Sequence, residues 1–154
     1  MFIFNHLCGV ILHISGRGIS KGTGKGLLLV SPAPISFLSG VDPESGVIVE
    51  KGHPLQGTSI AGKVLAFPYG KGSTVGSYVL YALSRNGHAP AAIINTEAEA
   101  IIATGAIIGQ IPMIDRISVP LARLKDSVPV TVDGEQGGMD YDGELKDAAP
   151  GPAA

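Results

Sequence analysis

The spacing of hydrophobic residues in the middle of the chain predicts a strand, a helix and a second strand. Residues 64–67 form a short, wholly apolar run, which is typical of a buried strand, and residues 91–94 repeat this pattern after Pro90. Between them, apolar positions recur at helical spacing: Val75, Tyr78, Val79, Ala82 and Leu83. Gly87 closes the helical pattern. The three segments therefore predict a βαβ unit with a right-handed crossover between parallel strands.

The other apolar runs predict further short strands and one more helix. A short helix is expected at 97–104, ending at Gly105, and the prolines at positions 32 and 34 favour an edge or corner for the strands beside them. The expected strands are 7–14, 27–30, 35–38, 47–50, 111–114 and 128–132. Because strands dominate the first half and βα units the second, we expect an α/β fold, with a small barrel-like or sandwiched β body, packed helices and one βαβ unit.

Glycine-rich and polar segments separate these elements. Residues 16–26 contain five glycines and three basic residues, which predicts either a flexible, phosphate-approaching loop or a bulged β-hairpin. Residues 40–46 have the composition of a hairpin turn, so a structural role for Asp42 is favoured over a place in a site. Residues 133–154 lack an apolar stripe and predict a disordered acidic tail. Residues 1–12 are an extension or the first strand, which leaves 13–132 as the domain.

Composition narrows the class of protein and its partners. Residues 1–132 carry ten basic and seven acidic side chains, a nearly neutral balance that indicates neither a nucleic-acid footprint nor a basic membrane-binding face. Cys8 is the only cysteine, which excludes an internal disulfide and a cysteine-rich metal site built by this chain alone. His53 has no second ligand at metal-binding spacing, so a solvated or hydrogen-bonded histidine is expected. We expect a cytoplasmic protein without nucleic-acid or membrane partners.

The turn at residues 70–76 carries the candidate chemistry and is open to three interpretations. Its glycines make a tight strand-to-helix turn in which Ser73 caps the helix. Alternatively it binds a nucleotide or phosphate, although its Gly-x-Gly-x-x-x-Gly spacing differs from the dinucleotide fingerprint. In the third interpretation Ser73 is catalytic, with its alkoxide stabilised by the helix N-terminus, backbone N–H groups and a cation. The residues alone leave all three open.

Several motifs in their order along the chain carry a more specific signal. They are residues 16–22 (GRGISKG), 34–46 (PISFLSGVDPESG), 53–55 (HPL), 70–77 (GKGSTVGS) and 105–112 (GAIIGQIP). This combination resembles the small subunit of the aconitase X family over about residues 13–118. The resemblance implies an aconitase-like swivelling β/β/α domain that forms a heterodimer with a large subunit. It also implies a 4Fe–4S cluster held by that large subunit, with none bound by this chain alone.

The same resemblance implies a hydro-lyase and assigns its residues. The chain is most similar to the archaeal members, which dehydrate mevalonate 5-phosphate to trans-anhydromevalonate 5-phosphate in the archaeal mevalonate route to isoprenoids. The resemblance implies that Ser73 is the proton acceptor. Lys71, Gly72 and Thr74 are expected to stabilise the serine anion or a substrate oxygen, with Ser77 a weaker candidate for this role. A Lys71 side chain that points to solvent is the open alternative.

Two alternative functions stay open, and the sequence departs from the family pattern at one position. Bacterial relatives dehydrate cis-3-hydroxy-L-proline, and a non-catalytic lid or interaction module would use Ser73 only as a helix cap. The departure is Ser39, which stands where the family pattern has a second glycine before Gly40.

Overall fold

The computed structural model describes residues 11–147, which form an eight-stranded mixed sheet, a two-stranded sheet and two α-helices. The strands are β1 (Ile11–Ser15), β2 (Arg17–Ser20), β3 (Thr23–Val30), β4 (Ile35–Ser36), β5 (Val64–Phe67), β6 (Gly70–Lys71), β7 (Ala92–Asn95), β8 (Met113–Asp115), β9 (Pro129–Asp133) and β10 (Gly138–Asp142). The helices are α1 (Gly76–Arg85) and α2 (Ala100–Ile108), and a single 3₁₀ turn spans Leu121–Arg123. The N-terminal part of the predicted first strand, residues 7–10, lies outside the described residues.

The large sheet curls on itself, as the predicted barrel-like body requires. Its strand order is β1-β10-β9-β3-β5-β7-β8-β2, so β1 and β2 are its two outer strands. Only Gly16 separates these strands in the chain, so the end of β1 adjoins the start of β2, and the Gly16 N–H bonds to the Gly137 carbonyl in the β9–β10 turn. A hydrogen bond from the Gly134 N–H to the Gly22 carbonyl (2.8 Å) also joins the β9–β10 turn to the segment after β2. The prediction of an α/β fold with a barrel-like β body is confirmed.

Three of the parallel strands at the centre of the sheet, β5, β7 and β8, are buried on both faces. β3, β5, β7 and β8 pair in parallel, and the alternate residues of β5 and β7 separate into two hydrophobic clusters. Leu65, Phe67 and Ile93 pack under the helices, whereas Ala66 and Ile94 face the interior of the curl. Burial on both faces explains the unbroken apolar runs at 64–67 and 91–94.

The two helices lie on one face of the sheet and form two consecutive βαβ units, one more than expected. Helix α1 connects β5 to β7, and α2 connects β7 to β8. Helix α1 ends as predicted, because Gly87 adopts a positive φ of 77° and the His88 N–H bonds to the Leu83 carbonyl (2.9 Å).

Helix α2 starts and ends later than predicted. The Glu99 side chain caps its first turn by accepting hydrogen bonds from the N–H groups of Ile101 and Ile102. Gly105 lies inside the helix, not at its end. A Cβ at Gly105 would come within 2.6 Å of the Leu80 side chain, so the glycine permits the close packing of α1 against α2. The helix ends instead through Gln110, which takes the left-handed conformation with a φ of 56°.

Several strand predictions need correction. Residues 17–20 and 23–30 are both strands but do not form a hairpin, because β2 pairs with β8 while β3 pairs with β5 and β9. β3 is therefore central, and the prolines at 32 and 34 follow it without placing it at an edge. Only Ile35–Ser36 of the 35–38 segment is a strand, and in place of the expected strand at 47–50 only Val47 and Ile48 make isolated bridges, after the confirmed turn at 40–46.

The prediction of a disordered tail from residue 133 is wrong for the segment that forms β10. Residues 138–142 pair with β1 on one side and β9 on the other. Met139 and Tyr141 point into the interior of the curl and are buried, and the Tyr141 hydroxyl donates to the Glu144 carbonyl (3.0 Å). The domain therefore extends beyond residue 132. Residues 148–154 lie outside the described part of the chain.

Candidate active site

Ser73 lies at the edge where the parallel strands end. The chain leaves β5 at Phe67, passes through β6 and reaches Ser73 just before the first turn of α1. β6 pairs with β4 so that Lys71 lies opposite Ser36, which fixes the loop against the segment at 35–40. Ligands of α/β proteins commonly bind at the carboxyl edge of the parallel strands. The topology therefore places the predicted catalytic serine at a position suited to ligand binding.

The Ser73 hydroxyl is exposed at the mouth of α1. Its Oγ accepts a hydrogen bond from the Val75 N–H (3.1 Å), and its carbonyl accepts one from the Gly76 N–H (2.9 Å). Ser73 thus caps the turn before the helix, and the N-cap residue itself is Val75. The N–H groups of Ser77 and Tyr78 already bond to carbonyls three residues back. The groups available to stabilise an oxygen anion at Ser73 are therefore the Val75 N–H and the helix dipole.

The other predicted site residues do not share one environment. Gly72 has a φ of 93°, and a Cβ there would lie 2.7 Å from the Ser36 Oγ, so the turn requires glycine. Thr74 is exposed beside Ser73. Ser77 is buried, and its hydroxyl donates to the Thr74 carbonyl (3.0 Å). This bond turns the Ser77 hydroxyl into the first helical turn, so Ser77 does not fit the predicted anion-binding role.

Lys71 faces a cleft and does not extend freely into solvent. Its Nζ donates to Glu50 Oε2 at 3.0 Å, and the two side chains retain 44% and 28% of their accessible surface. The cleft has a volume of about 320 Å³ and is lined by Ser36, Leu38, Ser39, Gly40, Glu50, Lys71 and Gly72. Glu50 was absent from the predicted site because it lies 21 residues before Lys71 and belongs to no motif with a known spacing.

Ser39, the departure from the family pattern, adopts a left-handed backbone. Its φ is 70°, a conformation in which glycine is unstrained and other residues carry a penalty of about 1–2 kcal/mol. Because glycine also adds freedom to the unfolded chain, we expect Ser39→Gly to raise the free energy of unfolding by a net of about 0.5–1 kcal/mol. Urea denaturation measures the change. Ser118→Gly, at a position outside the left-handed region, should lower stability, and a loss in both variants would contradict the strain at Ser39.

Asp42 and His53 have structural roles. Hydrogen bonds from the Glu44 N–H (3.0 Å) and the Ser45 hydroxyl (2.9 Å) hold the pKa of Asp42 below its ordinary value and close the turn at 40–46. His53 is buried, its Nδ1 accepts from the Leu55 N–H (3.0 Å), and its Nε2 lies 3.1 Å from the Pro34 carbonyl. The two bonds require the tautomer with the proton on Nε2.

A second polar cluster lies at the ends of β7 and β8 and was missed by the sequence analysis. Arg17 donates two hydrogen bonds to the buried carboxylate of Asp115 (2.9 and 2.7 Å), which also accepts from the Ala98 N–H (2.7 Å). Arg116 makes a matching two-bond contact with the exposed Glu97 (3.1 and 2.7 Å). Burial raises the pKa of Asp115, but the bonds from Arg17 and Ala98 outweigh this effect, so its pKa lies below the ordinary value.

The fold and the position of Ser73 define an α/β domain of the aconitase-like swivelling class, with an exposed serine at a helix mouth. The family model described as the aconitase X swivel domain matches residues 13–141. The chain therefore belongs to the aconitase X swivel domain family.

Two relatives and one solved structure show how close the similarity is. The phosphomevalonate dehydratase small subunit of Methanosarcina acetivorans is 54% identical over 129 residues, which cover 83% of this chain and 90% of the relative. The phosphomevalonate dehydratase small subunit of Pyrococcus furiosus is 54% identical over 126 residues, which cover 82% of this chain and 92% of the relative. The crystal structure of holo-form aconitase X from Thermococcus kodakaraensis matches with a TM-score of 0.81 and 50% identity, covering 84% of this chain and 98% of that one.

Residues 11–147 contain no group of three or more His, Cys, Asp or Glu side chains that could hold a metal ion. Neither helix in this part of the chain is long and apolar enough to cross a bilayer. The described residues thus do not fit a cluster or metal centre of their own.

Proposed function

We propose that this chain is the small subunit of a phosphomevalonate dehydratase, a hydro-lyase that removes water from mevalonate 5-phosphate. Relatives with this name are 54% identical and are matched over almost their whole length. The observation that carries the proposal within the chain is the exposed Ser73 hydroxyl at the mouth of α1, two residues after a lysine that faces a cleft. The product is trans-anhydromevalonate 5-phosphate.

In this proposal Ser73 is the base of the elimination. Its Oγ takes a proton from the carbon next to the one that bears the leaving hydroxyl. The electrons of the broken C–H bond form the double bond, and the hydroxyl departs with the electrons of the C–O bond. A serine oxygen acts as a base only where its anion is stabilised, and the Val75 N–H and the dipole of α1 supply that stabilisation, while the Lys71 ammonium binds a substrate oxygen. Thr74 and the Gly72 backbone border the same position.

The partner in this proposal is the large subunit, placed over the edge that presents Ser73. The names of the relatives as small subunits imply such a partner. Tyr69, Val75 and Tyr78 border this edge and expose 49%, 45% and 67% of their surfaces, which suits a face that another polypeptide covers. A 4Fe–4S cluster belongs to the large subunit in this proposal, where it would act as a Lewis acid toward the leaving hydroxyl. The steps assigned to this chain are proton removal and the binding of anionic substrate groups.

Reconstitution with the large subunit tests this function. We expect the chain, co-expressed with its large subunit and assembled anaerobically, to dehydrate mevalonate 5-phosphate, and each subunit alone to be inactive because each holds one side of the site. Product formation is measured by mass spectrometry. cis-3-Hydroxy-L-proline serves as the competing substrate, and preferential turnover of this compound would overturn the assignment.

A further inference from the structure

The contact between Glu50 and Lys71 fixes the position of a positive charge on the loop that leads to Ser73. Glu50 Oε2 lies 3.0 Å from Lys71 Nζ. The backbone of this region is also anchored, because the N–H groups of Val49 and Glu50 both donate to the Gly40 carbonyl (2.9 and 3.3 Å). A lysine side chain on a glycine-rich loop has many accessible rotamers, and the carboxylate selects those that keep the ammonium in the cleft.

The second carboxylate oxygen of Glu50 has an unusual environment. Oε1 is buried and has no hydrogen-bond partner among the described residues. It lies against the Gly40 backbone, where an added Cβ would come within 3.3 Å of it. A buried acceptor without a donor lowers stability, so Glu50 is not explained by its contribution to folding. Such unfavourable arrangements are concentrated at functional sites, where the position of a group matters more than local stability.

Lys71 remains able to bind a ligand while it contacts Glu50. An ammonium group has three N–H donors, the contact with Glu50 uses one of them, and 44% of the side chain remains accessible. The cleft that Lys71 lines is also lined by Gly72, the residue directly before Ser73. An anionic group bound by Lys71 in this cleft would therefore lie within one residue of Ser73.

We propose that Glu50 is a positioning residue, which holds the Lys71 ammonium in the cleft so that it binds an anionic oxygen group of the substrate beside Ser73. This inference rests on the proposed function, because it assigns a substrate-binding role within the same site. Glu50 itself does not touch the substrate. Its removal acts through Lys71, so the loss of either side chain has the same consequence for substrate binding.

Steady-state kinetics of the assembled two-subunit complex test this role. We expect Glu50→Ala and Lys71→Ala each to raise KM by about tenfold, the value of one charge-assisted hydrogen bond, with a much smaller change in kcat. The double variant should be no worse than either single variant, because the two residues act as one unit. Glu50→Gln keeps an acceptor oxygen toward Lys71 and should recover part of the loss. Thermal unfolding of Glu50→Ala should be unchanged or shifted upward, because the buried unpaired oxygen is gone.

Asp140→Ala is the matched control, because Asp140 is an exposed carboxylate that lies 3.1 Å from His13 on the far side of the curled sheet. It should leave KM and kcat unchanged. An unchanged KM for Glu50→Ala, or additive effects in the double variant, would overturn the inference while the wild-type complex stays active. A wild-type complex that does not dehydrate mevalonate 5-phosphate would instead reject the proposed function together with this inference.

Discussion

Replacing Ser73 by alanine in the assembled complex should reduce the turnover of mevalonate 5-phosphate by about 10³-fold, within the range for loss of a general base. The fold should survive, because the hydroxyl makes one exposed hydrogen bond, to the Val75 N–H, and its loss lowers stability by about 1 kcal/mol. The measurements are kcat for the complex and urea denaturation of the same preparation.

This substitution separates a catalytic subunit from a non-catalytic lid. If Ser73 were only a cap, Ser73→Ala would show the small stability loss and keep its turnover within a few fold of the wild type. Ser84→Ala is a suitable control, because it removes a hydroxyl from the helix that follows Ser73, where the Ser84 Oγ donates to the Gly109 carbonyl (2.7 Å). The control should retain full turnover. Equal turnover in the two variants would reject Ser73 as the base.

The largest effect on stability is expected from Asp115→Asn. The substitution places an amide against the Arg17 guanidinium and weakens the bond from the buried Ala98 N–H. Because Arg17 is partly exposed and regains water, we expect a loss of about 2–3 kcal/mol, below the range for a fully buried ion pair. Urea denaturation at neutral pH gives the value. Glu97→Gln changes the matching exposed pair with Arg116 and should lower stability by less than about 1 kcal/mol.

The pH dependence of the stability of the wild-type chain and of Asp115→Asn provides a further measurement. The folded-state pKa of Asp115 is lowered, so its contribution to stability is present above the unfolded pKa and is lost as the pH falls through the folded value. The wild-type chain should therefore lose more stability than Asp115→Asn when the pH falls below about 4, and the difference between them should narrow. A difference that stays constant down to low pH would show that the carboxylate charge is not the cause.

The sequence was most informative where the residue pattern of a segment matches the environment that the folded chain gives it. The run at 64–67 is buried on both faces, and the helical spacing from Val75 to Leu83 correctly indicated a helix. It did not identify the packed face of α1, because Val75 and Tyr78 are exposed and the buried positions are Gly76, Ser77, Leu80 and Leu83. The βαβ unit followed from these two patterns. Gly105 was misread for the opposite reason: a glycine after an apolar segment is a common helix end, but this glycine is required by the contact with Leu80 from another helix.

β10 shows how composition hid a regular pattern. Its acidic residues, Asp140 and Asp142, alternate with Met139 and Tyr141, which are the two inward positions of a short strand. Two apolar residues among glycines and carboxylates give a weak signal in the sequence, and although β9 directly precedes β10, the pairing of β10 with β1 depends on residues more than a hundred positions away.

The candidate site likewise contains residues that the sequence predicted and residues that only the folded chain identifies. Ser73 and Lys71 belong to a contiguous motif, and the sequence predicted both. Glu50 and Asp115 act through contacts with residues 21 and 98 positions away, at Lys71 and Arg17, which only the folded chain brings together. Ser77 shows the reverse error, because proximity in the motif suggested a binding role that its orientation does not permit.

The meeting of β1 and β2 at Gly16 has a consequence for how a two-chain enzyme is assembled. Outer strands with free backbone groups recruit other polypeptides, which is a hazard for a domain that is made as a separate chain. Both strands are short, with five and four residues, so each offers another polypeptide little backbone to pair with. The small subunit therefore carries part of its protection against misplaced pairing in its own sequence, before any partner covers it.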